Sequence, residues 1–257
     1  TPPIQGMVMP ESLVPFTITR DDASSRFKKW LRRLWFRPTD LKHKAALADI
    51  DGLYAPHFTF DSQVFSSWSG WAGHYYYVTV GFGKNQRTVR KIRWEHRAGT
   101  HQAFYDDELV CASTGLPEDI LNKVYPYHLN ALVRYTPEYL SGFMAEAYTI
   151  DPKDAWIIAK NQMHQKEVSA CSRLLDGDTQ RGLSVDSKYS DTKWKHILLP
   201  VYVAAYAYGR KTYRFMVNGQ TGEVQGEAPL SWAKIAATVT GIAAVVMLVV
   251  AKAAGWI

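Results

Sequence analysis

The sequence predicts an α+β fold, antiparallel β-sheets with packed helices, carrying one C-terminal transmembrane helix. Three observations lead there. About seventeen residues near the C-terminus, Ile235 to Ala251, pass without a charge, roughly 26 Å of helix at 1.5 Å rise per residue. Upstream, runs rich in Tyr, Phe, Trp, Val and Thr are punctuated by Gly and Asn turn signals. Between those runs, apolar residues recur at three- and four-residue spacing behind capping residues. Charged residues make up 21% of the 257 and aromatics 13%, a globular composition that excludes disorder.

Residues 1–18 read as a linker, Pro-bearing and without an apolar signal-peptide core, and the expectation is that a linker or upstream module precedes Thr1. Thr19-x-x-Asp22 then marks a helix start. Phe27, Trp30, Leu31 and Leu34 follow at i, i+3, i+4 and i+7, with Lys28, Lys29, Arg32 and Arg33 opposite. A basic amphipathic helix of this kind either lies in a membrane interface or packs its apolar stripe on the domain core. Phe27, Trp30, Leu31, Leu34, Lys28 and Arg32 are therefore candidate interfacial or docking residues. A second short helix is expected from Thr39 to about Ala48.

Strands are expected at Tyr54 to Phe60, His74 to Val80, Arg87 to Trp94 and Gln102 to Cys111, with turns at Gly81–Asn85 and Arg97-Ala98-Gly99. Pro117 and Pro137 each look like a first helical residue. Phe143 to Ile150 reads as a strand, and Asp151-Pro152 opens a long helix to about Leu175. Lys193 to Tyr208, Lys211 to Val217 and Glu223 to Gly226 complete a second antiparallel set, turning at Gly209-Arg210, Asn218-Gly219 and Thr221-Gly222. Leu53-Tyr54-Ala55-Pro56 and Ile197-Leu198-Leu199-Pro200 sit in a similar order of elements, which suggests a duplicated α+β unit. The expected division is a first unit at 19–116, a second at 117–229 and the anchor at 230–257.

Lys234 and Lys252 bracket the uncharged run and can snorkel to its two interfaces, with Trp232 and Trp256 outside them where indole rings prefer to lie. Ile235, Val245 and Leu248 are representative of its apolar body. Ala233, Ala237, Gly241 and Ala244 form a small-residue stripe that would admit another helix, though alanine is also simply abundant here. Lys234, Arg210, Lys211 and Arg214 lie on the N-terminal side, so the positive-inside rule places the domain in the cytoplasm.

Chemistry is hard to find. No P-loop, G-x-G-x-x-G, G-x-S-x-G or H-E-x-x-H occurs, and the two cysteines form no C-x-x-C. Glu95, His96 and His101 are the densest histidine locality but lack further ligands, and Asp106-Asp107-Glu108 fits a solvated turn better than a cation site. No metal, no cofactor and no enzymatic activity are expected. Lys188, Lys193, Lys195, Arg210, Lys211 and Arg214, interleaved with Tyr189, Trp194, Tyr208 and Tyr213, could meet nucleic acid or lipid headgroups; strand propensity explains the tyrosines equally well. With a net charge of +6 and an anchor, anionic lipid headgroups are the favoured partner and nucleic acid is disfavoured.

The stretch Leu198-Leu199-Pro200-Val201-Tyr202, then Val217-Asn218-Gly219-Gln220-Thr221-Gly222-Glu223-Val224-x-Gly226, then Pro229-x-Ser231-Trp232-x-Lys234 resembles a group of bacterial single-pass membrane proteins. Phe27-x-x-Trp30-Leu31, Leu34-Trp35-Phe36-x-Pro38 and Phe104-Tyr105-Asp106-Asp107 fit the same group. Its members usually carry an N-terminal zinc ribbon, which does not lie within these residues and is either lost or upstream of Thr1, and are often labelled zinc-ribbon or primosomal-helicase-like. The resemblance implies residence in the bacterial inner membrane with the domain on the cytoplasmic side, and it brings no catalytic residues. A motor role would need a nucleotide site, and no such motif is present. The expectation is a non-enzymatic accessory or assembly subunit, partnered by integral membrane proteins of a larger complex. The alternative is a membrane-tethered nucleic-acid-binding or regulatory protein.

Overall fold

The computed structural model describes residues 8–41, 46, 47 and 49–253. Nine strands and four α-helices occur among them, in an α+β fold with both antiparallel and parallel strand pairs. The strands are β1 (Ser12–Leu13), β2 (Ala46–Leu47), β3 (Asp51–Val80), β4 (Arg87–Cys111), β5 (Val133–Arg134), β6 (Met144–Ala145), β7 (Thr179–Tyr208), β8 (Lys211–Asn218) and β9 (Val224–Gly226). The helices are α1 (Arg20–Arg33), α2 (Glu118–Val124), α3 (Pro152–Leu174) and α4 (Trp232–Ala253). Two compact units form, and they interleave along the chain where the sequence suggests consecutive ones. Unit 1 takes residues 1–11, 56–112 and 148–197, and unit 2 takes 12–55, 113–147 and 198–257.

Unit 1 is a sheet ordered β4-β3-β7 with α3 on one face. Each of the two strand pairs expected before Cys111 is one uninterrupted strand. β3 and β4 stay in antiparallel register from His57↔Cys111 to Val80↔Arg87, with a bulge between Phe60 and Ser62. Arg97-Ala98-Gly99 is therefore no turn. Gly99 lies in mid-strand because it faces the Trp68 indole, where an added Cβ would sit 2.8 Å from the ring. Even-numbered residues of β3 from Phe58 to Ala72 are buried, which is the period-two pattern of a sheet covered on one side.

The cover is α3. Asp151 caps it by accepting from Lys153 N, and Pro152 takes the first turn, as the sequence predicts. Its buried positions are Ala155, Ala159, Met163, Glu167 and Cys171, one residue every four. Two alanines in that stripe bring the helix close to Phe58, Phe60, Val64 and Val110. Beyond them, Trp68, Ala72, Cys171 and Leu175 close the far end of the core with Leu183 and Val185.

In unit 2, α1 begins as expected. Thr19 Oγ1 accepts from Asp22 N at 3.1 Å, and the last turn holds Arg32 and Arg33. Ala23, Phe27 and Leu31 are buried against Tyr202, Ala204 and Tyr206 of β7, Phe215 and Val217 of β8, and Val224 of β9. Phe27 stacks on Phe215 with ring centroids 3.7 Å apart. Asn218 fixes the turn after β8. Its Nδ2 donates to Val124 O and Pro126 O, while its Oδ1 accepts from Gln220 N and Thr221 N.

Other expectations are revised. Ala46 and Leu47 form β2 opposite Tyr206 and Ala207, so the expected Thr39–Ala48 helix does not run through them; residues 42–45 and 48 lie outside the described residues. Residues 12–14 are not linker, since Leu13 and Val14 are fully buried and Val14 N donates to Leu198 O. The strand expected from Phe143 to Ile150 shrinks to Met144–Ala145. Pro117 precedes α2 as its cap, and Pro137 opens a single 3-10 turn.

Candidate membrane anchor and docking surfaces

The candidate span belongs to unit 2. Trp232 to Val250 has mean hydropathy 2.2 and none of it is buried in the protein. It is long and apolar enough to cross a membrane. Ile235 is half-buried, while Val245, Leu248 and the stripe residues Ala233, Ala237, Gly241 and Ala244 are all exposed. A fully exposed apolar helix is unstable in water and stable in hydrocarbon, which distinguishes it from a core helix. Lys252 is exposed at its far end, and Trp256 lies outside the described residues.

The near end of α4 is tied to the loop after α1, a connection no sequence motif announces. Ser231 N donates to Phe36 O at 2.8 Å, Lys234 Nζ to Trp35 O at 3.2 Å, and Arg37 Nη1 to Ala228 O at 2.6 Å. Trp35 and Trp232 are 77% and 75% exposed beside this seam. Of the candidate interfacial residues, Phe27 and Leu31 point into the core, and Trp30 and Leu34 pack half-buried against it. The stripe of α1 thus covers its own domain, with Phe27 and Leu31 buried on β7 and β8 and Trp30 and Leu34 at the edge of that contact. Lys28 and Arg32 remain exposed.

In unit 1 the sheet face opposite α3 is open. Phe65, Trp71 and Phe104 are exposed, and Trp71 meets His96 edge-on at 5.2 Å. Beyond Asp178, whose Oδ2 accepts from Tyr75 N, the β3–β4 hairpin continues as two strands. Tyr77 is 67% exposed and Phe82, at its tip, 95%. Residues 75–93 hold Lys84, Arg87, Arg90, Lys91 and Arg93 and no acid. Arg90 lies over the Tyr75 ring at 4.3 Å, and Arg181 over Trp94 at 4.2 Å. Gly81 enables the tip, since it adopts φ 107° and an added Cβ would meet Asn85 O at 2.2 Å.

Under α3 lies a buried polar centre that sequence reasoning missed. Glu167, fully buried, accepts from Tyr105 Oη at 2.7 Å and from His101 Nδ1 at 2.9 Å. Burial alone would raise the Glu167 pKa. Hydrogen bonds from Ser66, Tyr105 and His101, together with the charge of His101, outweigh burial and hold it below its ordinary value. Ser66 also meets Ser187 at 2.8 Å, which reaches His164 at 3.3 Å. Cys171 Sγ, His101 and Glu167 present ligand atoms within 4.8 Å of one another. Burial, with the Glu167 charge, pushes the Cys171 thiol pKa up. With its carboxylate held by three donors and its thiol protonated, the centre is a hydrogen-bonded tie between α3 and the sheet.

The other chemical candidates do not converge. Glu95 pairs with Arg93 and Arg97, and His96 lies on the sheet face opposite His101. Asp61, Asp106 and Asp107 gather at the β3 bulge, while Glu108 pairs with Lys166. The basic-aromatic set is divided: Lys188 to Lys195 belong to unit 1, Arg210, Lys211 and Arg214 to unit 2, and Tyr208 and Tyr213 pack on the unit 2 core.

No family model matches the chain, and no solved structure matches it. The uncharacterized protein YdjG of Bacillus subtilis (strain 168) is similar to it, 29% identical over 251 residues, covering 93% of this chain and 70% of the relative.

Proposed function

We propose that the chain is a membrane-anchored, non-enzymatic accessory or assembly subunit of a membrane protein complex. The observation that carries this reading is an apolar helix with every face exposed, in a chain whose unit 1 also leaves an aromatic sheet face and hairpin tip uncovered. Antiparallel sheets with one wet face ordinarily carry polar residues there, so exposed aromatics favour a protein partner. The small-residue stripe of α4 supports an integral membrane partner, and Lys234 with Arg210, Lys211 and Arg214 supports a cytoplasmic domain at a bacterial inner membrane. The resemblance to single-pass bacterial membrane proteins supports the same setting.

Purification of the full-length protein from membranes in mild detergent is expected to retain integral membrane partners. Tyr77→Ser with Phe82→Ser should lose them while leaving the thermal transition unchanged. A clean monomer from native membranes would overturn the proposal.

A second reading has one observation in its favour: the acid-free hairpin with Arg90 stacked on Tyr75 is the combination that grips single-stranded nucleic acid. It predicts binding that weakens steeply as salt rises. No mobility shift at low ionic strength would remove it.

A further inference from the structure

Where α4 leaves the domain, four bulky apolar side chains face solvent together. Trp35, Phe36, Leu230 and Trp232 are all exposed, although the backbone of residues 35–37 is bonded to residues 228–234. A soluble protein gains nothing by holding two indoles and a phenyl ring in water; a bilayer interface gives each of them a favourable place. The seam also fixes their depth. Lys234 is the last cation before the apolar run, so its ammonium belongs at headgroup level, and that ammonium donates to the carbonyl of Trp35. Trp35 is thereby set at the same level as Trp232. Arg32 and Arg33, exposed on the last turn of α1 just before this loop, suit lipid phosphates.

We infer that the loop after α1 is a second membrane contact, with Trp35 and Phe36 inserted at the boundary between lipid headgroups and acyl chains beside the emerging α4 helix. This rests on α4 being a membrane span. The contact lies just beyond the helix that the sequence marks as amphipathic, because α1 buries its own stripe and only the residues past its end are free to meet lipid. It would make the link between anchor and unit 2 two-legged, α4 and loop together, and would restrict how unit 2 swivels about α4.

The test is site-directed spin labelling of the full chain, reconstituted in phosphatidylcholine–phosphatidylglycerol bilayers, reading collision rates with oxygen, which concentrates in lipid, and with a water-soluble nickel chelate. Labels go at Trp35→Cys, Phe36→Cys, Asp21→Cys and Val245→Cys, and the unsubstituted chain treated identically supplies the background from Cys111 and Cys171. Asp21 is exposed at the opposite end of α1, roughly 20 Å along the helix from Trp35. The expected result is an oxygen-to-nickel ratio several-fold higher at 35 and 36 than at 21, and highest at 245. Nickel-dominated collisions at 35 and 36 with oxygen-dominated ones at 245 would overturn this contact and leave the anchor standing. Nickel-dominated collisions at 245 would overturn the anchor and the contact together. A label at 35 shielded from both reagents would place the loop against protein instead of lipid, which also overturns it.

Discussion

Glu167 is the residue on which unit 1 spends its buried charge. Three donors surround the carboxylate, and each would lose its partner if the side chain were cut back. Leaving buried donors unsatisfied costs about 1–3 kcal/mol, with a cavity term added. Glu167→Ala is expected to destabilise unit 1 by about 3 kcal/mol in urea unfolding, and Glu167→Gln, which preserves the shape and part of the bonding, by clearly less. Equal losses for the two would mean that packing alone matters at this site. Nothing in the sequence flags the residue. Its partners come from β3 and β4, and Glu167 falls on the buried stripe of a helix whose other faces are also rich in polar residues.

At the scale of elements, capped helices were the most readable part of the chain. Thr19 and Asp151 announce α1 and α3 because a side-chain oxygen accepting from the first turn is a strictly local device. Long strands were less so. Ser66 to Gly73 is poor in strand formers, and Arg97-Ala98-Gly99 looks like a turn, yet both lie mid-strand because Gly99 makes room for Trp68 and Gly70 for Leu175. That requirement arises across the sheet, so no local signal carries it. For α1 the periodicity was plain, but the surface it would meet was not. Its burial against β7 and β8 makes Phe27→Ala a core truncation, expected to cost about 3–5 kcal/mol in a denaturant titration. Lys28→Ala on the outer face should stay within about 0.5 kcal/mol. A comparable loss at both positions would contradict the orientation of the helix.

For the molecule as a whole, stability should depend on pH through two groups of unit 1. His196 is buried, with Nδ1 2.8 Å from Val8 O and Nε2 without a hydrogen-bond partner among the described residues. Burial lowers its pKa below 6.5, only partly offset by the backbone contacts to Val8 and Met9 and the charge of Glu11. The unfolded chain therefore takes up a proton before the folded one does, and stability falls as pH drops below 6.5. Glu167 acts in the same direction at lower pH: its folded pKa lies below 4.5, so its contribution is present above that value and is lost as acid protonates it. Urea midpoints measured from pH 8 down to pH 2 should decline in two stages, the upper one absent in His196→Phe. A flat profile would contradict both assignments.

The interleaving of the two units has a consequence for how the chain could ever be divided. The polypeptide passes between them at 11/12, 55/56, 112/113, 147/148 and 197/198. β3 and β7 each belong partly to one unit and partly to the other. A protease nick in the connection between β4 and α2 would therefore release neither unit, because each would still hold strands from both fragments. Two pieces split at that connection and expressed together should find one another and refold as a complemented pair, whereas either alone would lack strands that its partner supplies.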